Sequence, residues 1–135
     1  MKKIALLIAA FAAASAGFAQ WKPAGDKIKT VWADKVDPEN VLPEYPRPLM
    51  ERSQWLNLNG LWNYAVVKRD APLPKSFDGK ILVPFAIESS LSGVGKTISG
   101  DQSLWYERKF KIPEDWKGKD VLINFGAVDW KAEVF

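Results

Sequence analysis

Apolar and polar residues alternate along several short stretches of this chain, and this pattern predicts β-strands. Residues 61–68 alternate with a period of two, which places Trp62, Tyr64 and Val66 on one face of a strand. Residues 80–83, Lys-Ile-Leu-Val, predict a second, shorter strand that is closed by a proline. Both stretches are typical of strands that are buried on at least one face.

The region between these strands and the next apolar run predicts a long loop. Residues 86–103 are rich in Ser and Gly, with one helical turn expected near residues 87–91. No stretch has the sustained 3.6-residue periodicity of a long helix. The pattern therefore predicts an all-β fold, most simply a β-sandwich.

Residues 104–135 predict a strand, a tight turn at 113–118, a second strand and the opening of a third from Trp130. The first of these strands alternates, with Trp105 and Glu107 on the face opposite Tyr106, Arg108, Phe110 and Ile112. A folded domain seldom ends within an apolar strand, because an unpaired edge remains. We expect the natural protein to be longer.

The first 19 residues have the pattern of a secretory signal peptide. Lys2 and Lys3 precede the uncharged apolar run 4–14, and small residues follow, so cleavage is expected between Ala19 and Gln20. The apolar run is too short for a permanent transmembrane helix, which predicts no stable membrane anchor. With no cysteine for disulfides or lipid attachment, the pattern favours a bacterial periplasmic or extracellular protein.

Composition excludes several kinds of function. Two of the 19 Lys and Arg lie in the predicted signal, so the formal charge falls from +3 to +1 once it is removed. Without a basic patch, nucleic acid is not an expected partner. The absence of His and Cys excludes Ser-His-Asp and Cys-His catalysis and a typical zinc site. The residues indicate no cofactor and no complete active site.

The seven tryptophans have two ordinary uses, burial in a core and stacking against sugar rings. Trp62 lies on the apolar face of its predicted strand, which favours the core. Residues 20–52 contain five prolines together with apolar residues, and they predict an extended arm across the domain surface. Trp21 and Trp32 are expected to anchor that arm.

Four motifs occur in a fixed order, and together they resemble a known family. They are Trp-Leu-Asn-Leu-Asn-Gly-Leu-Trp at 55–62, Val-Pro-Phe-Ala-Ile-Glu-Ser at 83–89, Leu-Trp-Tyr-Glu-Arg-Lys-Phe with Ile-Pro at 104–113, and the stretch 121–135. This set resembles the N-terminal sugar-binding domain of glycoside hydrolase family 2, which includes β-galactosidases, β-glucuronidases and β-mannosidases. The resemblance runs from about residue 40 to residue 135.

The resemblance implies a jelly-roll β-sandwich in residues 53–135, incomplete at its C-terminal end. It also implies an immunoglobulin-like domain and a TIM barrel downstream in the same chain. In the family the barrel carries both catalytic glutamates of a retaining mechanism. Neither has a counterpart here, so no catalytic residue is expected within this chain.

The resemblance further implies that the loop before the 104–113 motif reaches the sugar pocket. The matching residues are Ser99, Gly100, Asp101 and Gln102, and we take Asp101 and Gln102 as candidate substrate-binding residues. The implied partner is a carbohydrate substrate, and the implied parent removes terminal β-linked sugars from glycans. Two other interpretations stay open: a free-standing carbohydrate-binding module without catalysis, and a structural docking domain.

Overall fold

The computed structural model describes residues 20–135, and its regular structure is mostly strand. The three strands are β1 (Gly60–Lys68), β2 (Gly79–Val83) and β3 (Gln102–Glu107). Helical structure within this range consists of four short 3-10 turns, at Ala33–Lys35, Pro48–Met50, Ser90–Ser92 and Glu114–Trp116. The all-β class expected from the sequence is confirmed by this set of elements. The predicted signal peptide, residues 1–19, lies outside the described residues.

The three strands form one antiparallel sheet in the order β2-β1-β3, with β1 in the middle. In β1, Trp62 pairs with Ile81 of β2, and Tyr64 pairs with Tyr106 of β3. Partners in a ladder share a face, so these four side chains lie on the same side of the sheet. Both predicted strands at 61–68 and 80–83 are confirmed.

The core lies on that side of the sheet. Tyr64, Ile81 and Ile87 are buried, and the side chains packed around them are Trp62, Val66, Val83, Val94, Ile98 and Leu104. Ile87, Val94 and Ile98 come from the loop between β2 and β3, so this loop folds over the sheet. The expected core position of Trp62 is confirmed, although its ring is only partly buried.

The 3-10 turn Ser90–Ser92 stands where one helical turn was expected near 87–91. The Ser89 hydroxyl accepts from the Leu91 N–H, and Gly93 ends the turn in the left-handed region at φ 80°. A serine at the first position and a glycine after the last are typical ends of a helical turn. The turn begins three residues later than the pattern suggested.

The Pro-rich arm is attached to the domain by the asparagines that precede β1. Asn57 Nδ2 donates to the Leu42 carbonyl at 2.9 Å, and Asn59 Nδ2 donates to the Val41 carbonyl at 3.2 Å. Val41 is buried, whereas Leu42 adopts a φ of 43° and stays exposed. The two amides therefore fix the arm at one point across the domain.

The two arm tryptophans differ in their surroundings. Trp21 is half-buried, with its indole Nε1 fully enclosed. Trp32 is 66% exposed, and its ring is contacted by the Lys35 ammonium at 4.6 Å. The expectation that both anchor the arm is wrong for Trp32, because a ring left mainly in water gains little from burial.

The strands expected beyond residue 107 are absent from the described residues. β3 ends at Glu107, and Arg108 turns its guanidinium back to the Leu61 carbonyl. No backbone hydrogen-bond ladder forms in 108–135, where only the turn Glu114–Trp116 is regular. A β-strand is defined by backbone hydrogen bonds to a neighbouring strand. Residues 108–135 form no such ladder with any strand of the described chain. Phe135 nevertheless stacks on Trp105 at 5.4 Å between ring centroids.

Among residues 20–135, no helix has the length and apolar character required to cross a bilayer.

Candidate functional site

The candidate site lies where β1 ends and β3 begins. Lys68 is the last residue of β1 and pairs with Gln102, the first residue of β3. Antiparallel pairing brings the C-terminal end of one strand to the N-terminal end of the other. The residues that come after Lys68 and those that precede Gln102 therefore form neighbouring loops at one edge of the sheet.

An open groove of about 620 Å³ lies between these two loops. One wall comes from the end of β1 and the other from the loop before β3. The residues that line it are Lys68, Arg69, Asp70, Ala71, Gly100 and Asp101. The structure thus brings two of the four loop residues suggested by the sequence together with a charged segment about 30 positions earlier in the chain.

Backbone contacts hold the two walls in place. The Arg69 N–H donates to the Asp101 carbonyl at 2.8 Å, and the Ser103 hydroxyl donates to the Arg69 carbonyl at 3.3 Å. The Arg69 guanidinium passes close to Gly100, since a Cβ placed there would lie 3.9 Å from Nη2. The backbone of Arg69 is therefore fixed, while its charged side chain faces the loop across the groove.

Ser99 organises the loop from within. Its hydroxyl donates to Asp101 Oδ1 at 2.5 Å and lies 3.0 Å from Gln102 Oε1, and its backbone N–H donates to the same Gln102 oxygen at 2.9 Å. The Gln102 N–H closes the turn onto the Ser99 carbonyl at 3.0 Å. These contacts hold the Asp101 and Gln102 side chains close together.

Gln102 and Asp101 therefore stand in different positions. The Gln102 oxygen is used within the loop, and Gln102 lies beside the groove lining rather than in it. Asp101 lines the groove and is exposed, which leaves its carboxylate open to solvent. Of the two candidate residues, Asp101 has the better geometry for direct contact with a ligand.

The charge on Asp101 is stabilised locally. The hydrogen bond from Ser99 lowers the pKa of the Asp101 carboxyl, with smaller contributions from a backbone hydrogen bond and the nearby Arg69 charge. A group that donates a proton to a glycosidic oxygen needs the opposite shift, a raised pKa. Asp101 is therefore arranged to accept hydrogen bonds as an anion.

The groove places hydrogen-bond donors and acceptors next to each other. The Arg69 guanidinium and the Lys68 ammonium offer only donors, and the Asp70 and Asp101 carboxylates offer only acceptors. A hydroxyl group both donates and accepts hydrogen bonds. Neighbouring hydroxyls of one ligand therefore match a cationic donor next to a carboxylate acceptor. Within residues 20–135 no group of three metal-ligating side chains comes together.

The charged segment directly after β1 was missed by reasoning from the sequence. This segment lies beside the loop before β3 because of the register between β1 and β3, which are about 30 residues apart in the chain. A local sequence pattern does not specify that register. The only local signal was a cluster of charges, Lys68 to Asp70, at the end of an apolar strand.

No protein-family model matches the chain, and no curated protein is significantly similar to it.

Proposed function

We propose that this chain is the N-terminal, non-catalytic part of an exported glycoside hydrolase that removes terminal β-linked sugars from glycans. The proposed architecture is a signal peptide at 1–19, an arm at 20–52 and the first part of a jelly-roll sugar-binding domain at 53–135. The ordered set of four motifs and the all-β sheet support this proposal. Fold alone is a weak guide to function, so the groove is the main support.

The observation that carries the proposal is the position of Asp101. A loop selected from the motif order lies against Arg69 in a groove of about 620 Å³, with charged donors and acceptors on facing walls. The Asp101 carboxylate accepts hydrogen bonds and the Arg69 guanidinium donates them, so together they offer a hydroxyl-rich ligand both kinds of partner. In the proposed enzyme this loop orients the sugar, and the barrel supplies the chemistry.

The proposal assigns no catalytic residue to this chain. A retaining glycosidase needs a nucleophilic carboxylate and an acid with a raised pKa about 5–5.5 Å apart. The lowered pKa of Asp101 favours a binding role over that of the acid. We therefore expect residues 20–135 alone to hydrolyse no aryl β-glycoside, and turnover abolished by a substitution within this chain would contradict the domain assignment.

A docking role is favoured by a separate observation, the apolar surface of the C-terminal segment. Within 121–135 many large apolar side chains are exposed: Val121, Leu122, Ile123, Phe125, Val128, Trp130, Val134 and Phe135. Contiguous apolar surface commonly marks an interaction site. If the domain serves only for docking, we expect no sugar to bind in the groove. The hydrolase and the free-standing binding module both predict that a sugar binds there.

Asp101→Ala in the full-length protein tests the proposal. Loss of a charged hydrogen bond to the sugar should lower kcat/KM by roughly 5- to 150-fold. Gln102→Ala should have a smaller effect, because its oxygen is used within the loop. Asp120→Ala is the matched control, since Asp120 is exposed and does not line the groove.

The outcomes separate the candidate functions. If Asp101→Ala had the same kinetics as the wild type and Asp120→Ala, the groove would not contribute to sugar binding. Sugar binding without hydrolysis in the full-length protein would favour the carbohydrate-binding module instead.

A further inference from the structure

The first residues of the described chain lie across the loop between β2 and β3, and they hold it through several specific contacts. The Ala24 N–H donates to the Ser90 carbonyl at 2.8 Å, and the Ser90 hydroxyl donates back to the Ala24 carbonyl at 2.7 Å. The Lys27 ammonium donates to the Glu88 carbonyl at 2.5 Å. Residues 21–27 therefore form a strap over this loop.

Packing adds to these polar contacts. A Cβ at Gly93 would lie 2.9 Å from the Trp21 indole ring, and a Cβ at Gly95 would lie 3.0 Å from the Ala24 Cβ. Both distances are shorter than ordinary carbon contacts, so the strap lies directly on the backbone of the loop. Trp21 Nε1 is enclosed there with no hydrogen-bond partner among residues 20–135. The indole is therefore held by contact and not by its polar atom.

The loop under the strap is itself part of the core. It supplies Ile87, which is only 2% exposed, and Val94, which packs on the sheet. The Lys96 N–H closes the loop onto the Ile87 carbonyl at 3.1 Å. A segment that fixes residues 88–95 therefore also fixes the cover over one face of the sheet.

We propose that the strap is a clamp, with Trp21 as its anchor, that locks residues 88–95 over the core face. Trimming of the N-terminus past Trp21 removes the anchor and loosens the loop. Trp21 lies two positions after Ala19, the last residue of the predicted signal, so the place of cleavage decides whether the clamp exists. The role of the strap does not depend on what the groove binds.

Hydrogen exchange measured by mass spectrometry on the full-length protein tests the clamp. Trp21→Ala should accelerate exchange about tenfold or more in peptides that cover 20–30 and 86–98, because local opening no longer has to break the indole packing. The peptide that covers β1 should be unchanged. Trp21→Phe should retain slow exchange, since it keeps an aromatic ring and removes the unpartnered N–H.

Two results would overturn the proposal. Unchanged exchange in 86–98 for Trp21→Ala would show that the strap does not hold the loop. Equal acceleration in β1 would show that Trp21 belongs to the general core and not to a separate clamp.

A pair of glycine substitutions gives an independent measurement. Gly93 and Gly118 both have a φ of 80°, so replacement by alanine strains the backbone similarly at each. Only Gly93 faces Trp21, whereas nothing lies within 4 Å of a Cβ at Gly118. Gly93→Ala should release peptide 20–30 to fast exchange and Gly118→Ala should not. The same exchange rate in both variants would contradict a Trp21–Gly93 anchor.

Discussion

Trp62→Ala is the most direct test of how the sheet is packed. Trp62 pairs with Ile81 in the ladder and packs on the buried cluster of Tyr64, Ile81 and Ile87. Its indole N–H donates to the Leu58 carbonyl at 2.8 Å, and its ring meets Tyr106 edge-on at 6.4 Å between centroids. Truncation removes all these contacts together.

The expected loss of stability is the sum of these contacts. Removing a fully buried Trp costs about 3–5 kcal/mol, and the partial burial of Trp62 reduces this to roughly half. The edge-on aromatic pair adds about 0.5–1 kcal/mol, and the lost hydrogen bond adds about 1 kcal/mol. We expect the free energy of unfolding to fall by about 3–4.5 kcal/mol.

Urea unfolding of the full-length protein measures this change, with Trp32→Ala as the control. Trp32 is 66% exposed and interacts mainly with Lys35, so its loss should cost less than about 1 kcal/mol. Lys109→Ala should lie within about 0.5 kcal/mol of wild type, because Lys109 is exposed. If Trp62→Ala and Trp32→Ala were equally stable, the assignment of the core face would be refuted.

Two further predictions concern export and the charge on Asp101. Intact mass of the exported protein should correspond to loss of residues 1–19, and Ala19→Leu should block cleavage because the peptidase accepts only small side chains there; a different N-terminus would contradict the signal assignment. Ser99→Ala should raise the pKa of Asp101 toward its usual value in an NMR pH titration, since the Ser99 hydrogen bond is the main cause of the lowering. Because the folded-state pKa is the lower one, this carboxylate supports the loop above its unfolded pKa, and that support disappears as pH falls through the folded value. An unshifted titration would show that Ser99 does not hold the anion.

The central strands could be predicted because local patterns and burial agree there. In β1, alternation places Tyr64 on the core face, and glycine and lysine mark its ends. β2 is an apolar run closed by proline, and the sequence pattern was sufficient to recognise it. Where the two-residue alternation of apolar side chains matches the face that is buried, the local sequence is sufficient to predict a strand.

The end of β3 could not be predicted, because it depends on a competing donor. The alternating pattern continues to Ile112, but the Arg108 guanidinium takes the Leu61 carbonyl, and the ladder ends at Glu107. Similarly, the sequence suggested Asp101 but not its neighbour Arg69. Their proximity results from register between distant strands, and alternation alone leaves register open.

The two attachments of the arm differ greatly in the length of chain that each one closes. The Asn57 bond to Leu42 spans 15 residues, whereas the Ser90 bond to Ala24 spans 66. Chain-closure entropy grows with the logarithm of loop length, so the longer closure costs about 1.3 kcal/mol more. We therefore expect the asparagine contacts to form early during folding and the Ser90 contact to form last.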